Sequence, residues 1–337
     1  MDRLSSDLGH PRDDDAASSD RQAPPGGVER AAGDAALPAF ALHGGDEPLI
    51  ERASQRLAVP EALLNLAQLD VLYDGDRRAL WTFMRPTGRP AFNRDLLGDF
   101  ESWQALIGSH FGPAGLPLDF LLLGSRTPGV FCFGGDLALF QQLIRLRDEA
   151  ALASYGHRCV RILHRNFHAL DLPMLTIGLV QGQALGGGFE ALLSFDVLIA
   201  ERGATFGLPE VMFGLFPGMG AHSLLSRKVG TALADQIILS NRTYKAEDLY
   251  EMGLVAQLAE PGEGIATARA FMEKSGRRLA GMVAAKRAMR LAAPVPLSEM
   301  EEIVNLWARA ALQLTEGDLK LMSRLAATQA RNYGAAA

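Results

Sequence analysis

Short apolar runs separated by turn-forming residues mark the chain after its N-terminal segment. The runs at 66–73 and 79–84 flank the turn sequence Asp74-Gly75-Asp76, so together they predict a β-hairpin. Two further runs, at 119–123 and 174–180, are short and mainly apolar. Runs of this length between turn signals indicate buried strands.

Helical periodicity follows the first strands. Asn93 is a suitable N-cap for a helix that ends near His110 and carries its apolar residues on one face. Later in the chain we expect one long helix over 264–291, and the capping-box sequence Ser298-Glu-Met-Glu301 predicts the start of the last helix. Strands and helices alternate early and helices dominate the last third, which predicts an α/β fold with a helical C-terminal region.

The N-terminal segment differs from the rest of the chain in composition. It carries Asp13-Asp14-Asp15 and Pro24-Pro25-Gly26-Gly27 with almost no aromatic residues, so it cannot bury enough apolar surface to offset the entropy of ordering. We expect a disordered acidic tail at 1–45, with a docking role as the alternative interpretation. The expected domains are this tail, a core with the active site at 46–255, and a helical region at 256–337.

Charge and composition narrow the possible functions. The chain has 337 residues and a net charge of −6 without a dense basic cluster, which disfavours nucleic acid as a partner. Because we find no apolar secretory segment and no run of about 18 apolar residues, we expect a cytoplasmic protein without a membrane span. Cys132 and Cys159 match neither a disulfide framework nor a metal motif. His164 and His168 lack an evident third ligand, so they predict no metal site. We also expect no organic cofactor.

Two glycine turns are candidates for binding chemistry. Gly186-Gly187-Gly188 follows the apolar run that ends at Val180, and Gly134-Gly135 also lies between a predicted strand and a predicted helix. Glycine permits unusual backbone angles and lets a ligand approach the main chain closely. A glycine run alone usually marks a turn. Two such turns that meet can also direct backbone N–H groups at one oxygen, as in an oxyanion hole.

Two glutamates lie in otherwise apolar sequence. Glu190 is flanked by Phe189 and Ala191, and Glu210 lies between Pro209 and Val211. Burial would raise their pKa values, and a close pair would raise one of them further. Such carboxyls suit proton exchange at a carbon next to a carbonyl, or the handling of water or a hydroxyl. Each glutamate alone is more often an ordinary solvated side chain, so the hypothesis depends on the combination.

Several segments, taken in order, make the chain recognisable. They resemble the crotonase (enoyl-CoA hydratase/isomerase) superfamily, and the resemblance covers about residues 66–330. It implies a spiral core of ββα units, and C-terminal helices that close the acyl pocket and join the subunits into trimers or hexamers. It also implies oxyanion-hole N–H groups at Gly135 and Gly187 and catalytic carboxylates at Glu190 and Glu210. The matching segments are 131–137, 182–190, 206–210, 217–220 and 253–255.

Within that superfamily, segments 89–97, 128–140 and 182–193 are similar to the diffusible signal factor synthases of bacterial quorum sensing. The apolar sequence Leu137-Ala-Leu-Phe140 replaces a more polar segment of common CoA hydratases. This resemblance implies a 3-hydroxyacyl thioester on acyl carrier protein, which is dehydrated to a cis-2-enoyl thioester and hydrolysed to the free acid. The alternatives are a conventional enoyl-CoA hydratase of fatty-acid oxidation, acting on CoA thioesters, and a crotonase-fold binding partner of a sensor kinase.

The resemblance also implies roles for the site residues in a hydratase/dehydratase lyase that has acyl-thioesterase activity. Glu210 would exchange the α-proton, and Glu190 would protonate the departing β-hydroxyl while the N–H groups hold the thioester oxygen. The apolar stripe around Trp307 is more often core than a ligand pocket, and both interpretations stay open at this point. The candidate acyl-pocket residues are Leu185, Gly186, Met219, Trp307 and Leu325.

Overall fold

The computed structural model describes residues 59–334, with side chains described as far as Gln329, so the tail predicted at 1–45 lies outside the described residues. Two short 3-10 turns, Ala169–Asp171 and Pro209–Phe213, interrupt the regular elements. In chain order, the helices and strands are α1 Glu61–Leu64, β1 Leu69–Asp74, β2 Ala79–Met84, α2 Arg94–His110, β3 Phe120–Ser125, β4 Val130–Cys132, α3 Leu137–Arg145, α4 Glu149–Phe167, β5 Leu175–Val180, β6 Gln183–Leu185, α5 Gly187–Leu192, β7 Val197–Glu201, β8 Thr205–Gly207, α6 Ala221–Val229, α7 Thr231–Leu239, β9 Thr243–Lys245, α8 Ala246–Glu251, β10 Gln257–Ala259, α9 Gly264–Gly276, α10 Leu279–Ala292, α11 Leu297–Ala311 and α12 Glu316–Gly334.

Six strands of the described chain form the larger sheet, in the order β1-β2-β3-β5-β7-β10. Strands β1 and β2 pair antiparallel with Leu69 opposite Met84, which confirms the predicted hairpin. The other neighbours in this sheet are parallel. Strands β2, β3 and β5 are buried along their whole length. Parallel strands covered on both faces require continuous apolar sequence, which is why these runs are clear in the sequence.

A smaller sheet contains β4, β6, β8 and β9 in that order. The successive pairs β3–β4, β5–β6 and β7–β8 each place one strand in the larger sheet and the next in the smaller one, and helical segments follow each pair. This repeat is the predicted ββα spiral, so the fold class is confirmed. Strand β8 has only three residues, which are too few to show the alternation of a strand in the sequence.

Helix α2 forms as predicted. The Asn93 side chain accepts a hydrogen bond from the Leu96 N–H at 2.8 Å and so caps the helix. The apolar face of α2 is buried, and Gln104 on this helix donates to the carbonyl of Ile162 on α4 at 2.9 Å. Asp136 caps α3 in the same way, with a distance of 3.1 Å to a backbone N–H of that helix. These contacts fix α2, α3 and α4 around the core that positions the site.

Two details of the C-terminal region differ from the prediction. The single helix expected over 264–291 is two helices, since α9 ends at Gly276 and α10 begins at Leu279. Glycine is unfavourable inside a helix, which favours a break at this point. The capping box predicted at 298–301 is also wrong, because α11 begins without a side-chain cap. Pro296 precedes its first turn with a φ of −66°, a value that already suits a helix.

Some possible functional features do not occur in the described part of the chain. Within residues 59–334, no helix is long and apolar enough to cross a membrane. The same residues hold no group of three or more histidines, cysteines or carboxylates that could bind a metal ion. The rings of His164 and His168 pack together with centroids 4.6 Å apart, and burial lowers the pKa of both. Cys132 and Cys159 are buried free thiols.

Candidate active site

The triple-glycine turn joins β6 to α5. Gly186 has a φ of +51°, a left-handed conformation that glycine adopts without strain. A Cβ at this position would lie 2.5 Å from Oε1 of Glu210, so the missing side chain lets that carboxyl approach the main chain. Helix α5 begins at Gly187, and Glu190 follows one turn later. The turn therefore brings both glutamates to the start of one short helix.

The two predicted oxyanion donors lie on neighbouring loops. A Cβ on Gly134, which has a φ of +87°, would lie 2.6 Å from the backbone nitrogen of Gly187. A Cβ on Gly187 would lie 3.4 Å from the backbone nitrogen of Gly135. The loops therefore meet through their main chains, and Gly135 and Gly187 line the same cavity. This proximity is what two N–H groups need in order to share one substrate oxygen.

Glu190 is held by the main chain. Only 1% of its surface is exposed, and its Oε1 accepts hydrogen bonds from the N–H groups of Met219 at 2.8 Å and Ala221 at 3.0 Å. Burial raises the pKa of Glu190, while the two hydrogen bonds oppose part of the rise because they stabilise the carboxylate. The ionised form of Glu190 is therefore supported by two fixed donors.

Glu210 lies in the 3-10 turn that follows β8. Its Oε2 is buried and has no hydrogen-bond partner among residues 59–334. Burial raises the pKa of Glu210, and the negative charge of Glu190 raises it further. Carboxyls that interact in this way titrate as a pair, and the member whose pKa is raised by both burial and its neighbour's charge holds the shared proton more readily. The arrangement favours a protonated Glu210 beside an ionised Glu190.

A cavity brings the predicted residues together. Trp307 is only 2% exposed and lies on the cavity wall. Its side chain is therefore part of the hydrophobic core and also part of the pocket. Leu185 differs from the other candidates, because its side chain faces Gly207 on β8. The predicted residues on the wall are Gly135, Gly186, Gly187, Glu190, Glu210, Met219, Trp307 and Leu325.

The cavity wall also includes residues that sequence reasoning missed. The ring of Phe140 packs against that of Trp307 with 5.1 Å between centroids, and the apolar segment after Asp136 could have identified it. Gln329 gave no such signal, because it reaches the wall only where α12 docks. Arg89 fixes that docking by donating to the side chain of Gln329 and to the carbonyl of Gly135. The missed lining residues are Phe133, Leu137, Phe140, Pro209, Phe213, Leu215, Gly218 and Gln329.

Comparison with known proteins matches the part of the chain that contains this cavity to a protein family. The family model described as enoyl-CoA hydratase/isomerase matches residues 118–312, which include both glycine loops and both glutamates. The chain belongs to this family. The short-chain-enoyl-CoA hydratase of Clostridium acetobutylicum is 41% identical over 196 residues, which cover 58% of this chain and 70% of that protein. The crotonyl-CoA hydratase of Syntrophomonas wolfei is 29% identical over 193 residues, 57% of this chain and 70% of the relative.

Solved structures of other proteins share the fold. DspI of Pseudomonas aeruginosa is 25% identical with a TM-score of 0.59, over 71% of this chain and 95% of its own. An enoyl-CoA hydratase from Bacillus halodurans has a TM-score of 0.66 and covers 77% of this chain and 100% of its own. At 18% identity this second likeness shows the fold alone. An enoyl-CoA hydratase-type activity therefore follows from the family.

The raised pKa values make a prediction about stability. A carboxyl whose pKa is higher in the folded than in the unfolded chain binds more protons when folded, so stability falls as pH rises from about 4.3 through the raised value. Glutamine does not titrate, so replacing Glu210 by glutamine removes this loss of stability at high pH. We expect the Tm of Glu210→Gln, measured by calorimetry, to exceed that of the unchanged protein at pH 8 by several degrees and to approach it near pH 4 to 5.

The matched control for this measurement is Glu302→Gln, which makes the same chemical change at an exposed position on α11. Its Tm should follow that of the unchanged protein at every pH. If Glu210→Gln lowers the Tm at pH 8, the carboxyl is not a strained buried group and the description of the pair is wrong.

Proposed function

We propose that this protein dehydrates a 3-hydroxyacyl thioester on acyl carrier protein and then hydrolyses the product to a free cis-2-unsaturated fatty acid. The observation that carries the proposal is the placement of two carboxyls, the buried Glu190 and the half-buried Glu210, on the same cavity as Gly135 and Gly187. A carbonyl oxygen that accepts from both glycine N–H groups would have its α and β carbons beside the two carboxyls. This is the requirement of β-elimination from a thioester.

Dehydration needs one carboxylate and one carboxylic acid. Glu210 removes the α-proton, and the electron pair of the C–H bond forms the enolate, whose negative oxygen is held by the N–H groups of Gly135 and Gly187. The enolate then forms the double bond and expels the β-hydroxyl, which takes a proton from Glu190 and leaves as water. General acid–base catalysis of this kind typically contributes about 10²–10⁴ in rate.

The direction that the site favours depends on which glutamate, Glu190 or Glu210, carries the proton before the reaction. Main-chain donors support an ionised Glu190, and Glu210, whose Oε2 has no partner among residues 59–334, is the better proton holder. That state suits the addition of water, with Glu190 as the base for water and Glu210 as the α-proton donor. Dehydration uses the same pair with its single proton moved to Glu190. Both directions therefore draw on one total protonation state, as a reversible reaction requires.

Thioester hydrolysis would use the same groups at a different carbon. With an enoyl thioester in place, Glu190 accepts a proton from a water molecule that attacks the carbonyl carbon. The tetrahedral oxyanion is stabilised by the N–H groups of Gly135 and Gly187. The C–S bond then breaks, the carrier thiol takes up the proton, and the carboxylic acid is released. No group outside these four residues is needed for the proton balance.

Two observations support an acyl chain with an apolar tail. The segment Leu137-Ala-Leu-Phe140, which is similar to diffusible signal factor synthases, contributes Leu137 and Phe140 to the cavity wall. Helices α11 and α12 contribute Trp307 and Leu325, which fits the proposed closure of the acyl pocket by the region 256–337. The carboxyl and carboxamide side chains on the wall are those of Glu190, Glu210 and Gln329.

A second candidate is a conventional enoyl-CoA hydratase. It is favoured by the 41% identity to the short-chain-enoyl-CoA hydratase of Clostridium acetobutylicum and by the resting protonation state, which suits hydration. It would act on CoA thioesters and leave the thioester bond intact. The two candidates share the cavity and differ in carrier, in direction and in the hydrolytic step.

The test supplies medium-chain 3-hydroxyacyl thioesters of acyl carrier protein and of CoA to the purified protein. Products are identified by mass spectrometry, and released thiol is measured in the same samples. We expect free cis-2-unsaturated acid and an equal amount of carrier thiol, both lost in Glu190→Gln and Glu210→Gln. Hydration of 2-enoyl-CoA without thiol release would establish the second candidate and overturn the hydrolytic step.

A further inference from the structure

A backbone contact fixes the peptide group that carries the N–H of Gly135. The N–H of Phe92 donates to the carbonyl oxygen of Gly134 at 2.8 Å, and Phe92 and Gly135 form an isolated parallel β-bridge. In a planar trans peptide, the C=O and N–H groups point to opposite sides. The hydrogen bond from Phe92 therefore determines the direction in which the N–H of Gly135 points, and Gly135 lines the catalytic cavity.

Tyr155 on α4 holds the other side of this contact. Its side chain is buried, with 4% of its surface exposed. Its hydroxyl donates to the carbonyl of Phe92 at 2.5 Å and accepts from the N–H of Asp136 at 3.4 Å. A Cβ on Gly135 would lie 3.7 Å from the hydroxyl oxygen of Tyr155. The hydroxyl thus connects the segment of Phe92 to the loop that carries the oxyanion donor.

The position and the protonation state of this hydroxyl are both fixed. The ring of Tyr155 packs edge-on against that of Phe140, with 5.0 Å between the centroids. Burial raises the pKa of Tyr155, so the hydroxyl keeps its proton at neutral pH. Tyr155 therefore presents a permanent hydrogen-bond donor to the main chain of Phe92.

The peptide group that follows Gly135 is held as well. Its carbonyl accepts from Arg89 at 3.4 Å, and its N–H, which belongs to Asp136, donates to Tyr155. A buried tyrosine usually finds a partner for its hydroxyl, and many such bonds serve stability alone. Here both partners of the hydroxyl are main-chain groups that adjoin Gly135, one in sequence and one through the β-bridge. These contacts indicate a role in orienting Gly135.

We propose that Tyr155 is a positioning residue for the oxyanion hole, because it holds the N–H of Gly135 in place through the main chain of Phe92. This inference rests on the proposed function, in which Gly135 is one of the two oxyanion donors. A donor that is oriented before the reaction stabilises the developing negative charge without a cost of reorganisation. The enolate oxygen carries more negative charge than the carbonyl oxygen of the bound substrate. A misdirected donor therefore weakens binding of the transition state more than binding of the substrate.

Tyr155→Phe removes the hydroxyl and keeps the ring. We expect kcat for hydration of crotonyl-CoA to fall by about 10-fold or more, part of the roughly 10²–10³ lost with a whole oxyanion donor, and KM to change less. The matched control is Tyr73→Phe on β1. Tyr73 is also buried, and its hydroxyl donates to the carbonyl of Pro117 at 2.5 Å. This control should show a similar loss of Tm and keep the kcat of the unchanged protein.

A spectroscopic measurement separates orientation of the donor from stability of the fold. The ligand is the ketone analogue of butanoyl-CoA, in which a methylene group replaces the sulfur atom, so it is neither hydrated nor hydrolysed. Its carbonyl, labelled with carbon-13, is observed by isotope-edited infrared spectroscopy with protein in excess. Hydrogen bonds to the carbonyl oxygen lower its stretching frequency. We expect a higher frequency in Tyr155→Phe than in the unchanged protein and in Tyr73→Phe.

Equal frequencies in Tyr155→Phe and the unchanged protein, or an equal loss of kcat in Tyr73→Phe, would overturn the inference and leave the proposed function standing. If the frequency in the unchanged protein is no lower than in water, no oxyanion hole holds the carbonyl, and both proposals fail. If Tyr155→Phe does not fold, Tyr155 is replaced by 4-aminophenylalanine, a weaker donor of similar shape. A higher frequency in that variant than in the unchanged protein would support the inference, and an equal frequency would overturn it.

Discussion

Replacing Glu210 by glutamine is expected to lower kcat for enoyl-thioester hydration and for 3-hydroxyacyl dehydration by about 10²–10⁴. Glutamine keeps the shape of the side chain but cannot exchange a proton. The substitution should not disturb folding, because the buried Oε2 of Glu210 has no hydrogen-bond partner to lose among residues 59–334. Burial and the charge of Glu190 make this carboxyl the group that holds a proton near neutral pH, so its loss removes the α-proton donor.

Glu190→Gln should have an effect of similar size, and the double variant should be little worse than either single one. The amide oxygen of glutamine can still accept from Met219 and Ala221, so the main chain around α6 keeps its hydrogen bonds. Residues that act as one unit show such strong non-additivity. The measurement is steady-state hydration of crotonyl-CoA by all three variants, with Glu302→Gln as the exposed control. Additive losses in the double variant would mean that the two carboxyls act in separate steps.

Gly187→Ala should give a folded protein with kcat/KM lowered by about 10²–10³, the usual cost of losing one oxyanion donor. The added methyl group meets nothing closer than 3.4 Å, and alanine favours the first turn of α5 more than glycine does. However, the methyl would lie 3.4 Å from the backbone nitrogen of Gly135, so we expect it to hinder a substrate oxygen that approaches this N–H group. We therefore expect Gly187→Ala to keep its fold and to lose activity.

The matched control is Gly281→Ala on α10, where a Cβ has no neighbour within 4 Å. It makes the same chemical change in a helix away from the cavity, and it should keep full activity with a slightly higher Tm. Both proteins are compared by calorimetry and by hydration of crotonyl-CoA. Full activity in Gly187→Ala would place the thioester oxygen elsewhere and would contradict the assignment of the oxyanion hole.

Much of the scaffold was predictable because it is encoded locally. The hairpin follows from two apolar runs around Asp74-Gly75-Asp76, and α2 follows from the Asn93 cap and one apolar face. The smaller sheet was not predicted, since its strands have three residues each and owe their pairing to neighbours distant in sequence. The break in the helix expected over 264–291 was missed, because one glycine rarely ends a helix without help from tertiary packing.

The sequence by itself determined which residues are available for chemistry. Two glycine turns and two glutamates in apolar surroundings were visible as local composition, and their order along the chain identified the family. It could not determine how the two carboxyls differ. That difference depends on the N–H groups of Met219 and Ala221, which reach Glu190 only when the segment before α6 packs against α5.

Only the tertiary structure shows which side chains pack behind the glycine turn at 186–188. Gln104 and Asn166 belong to α2 and α4, and nothing in their own sequence context separates them from ordinary polar residues on helices. Packing buries both side chains and pairs their amide groups with Ile162 and Ser194. Hydrogen-bond satisfaction is a property of the folded neighbourhood, whereas a glycine turn or a capping residue is a property of the local chain. Hydrogen-bond satisfaction could be found only from the folded structure, whereas glycine turns and capping residues were visible in the sequence.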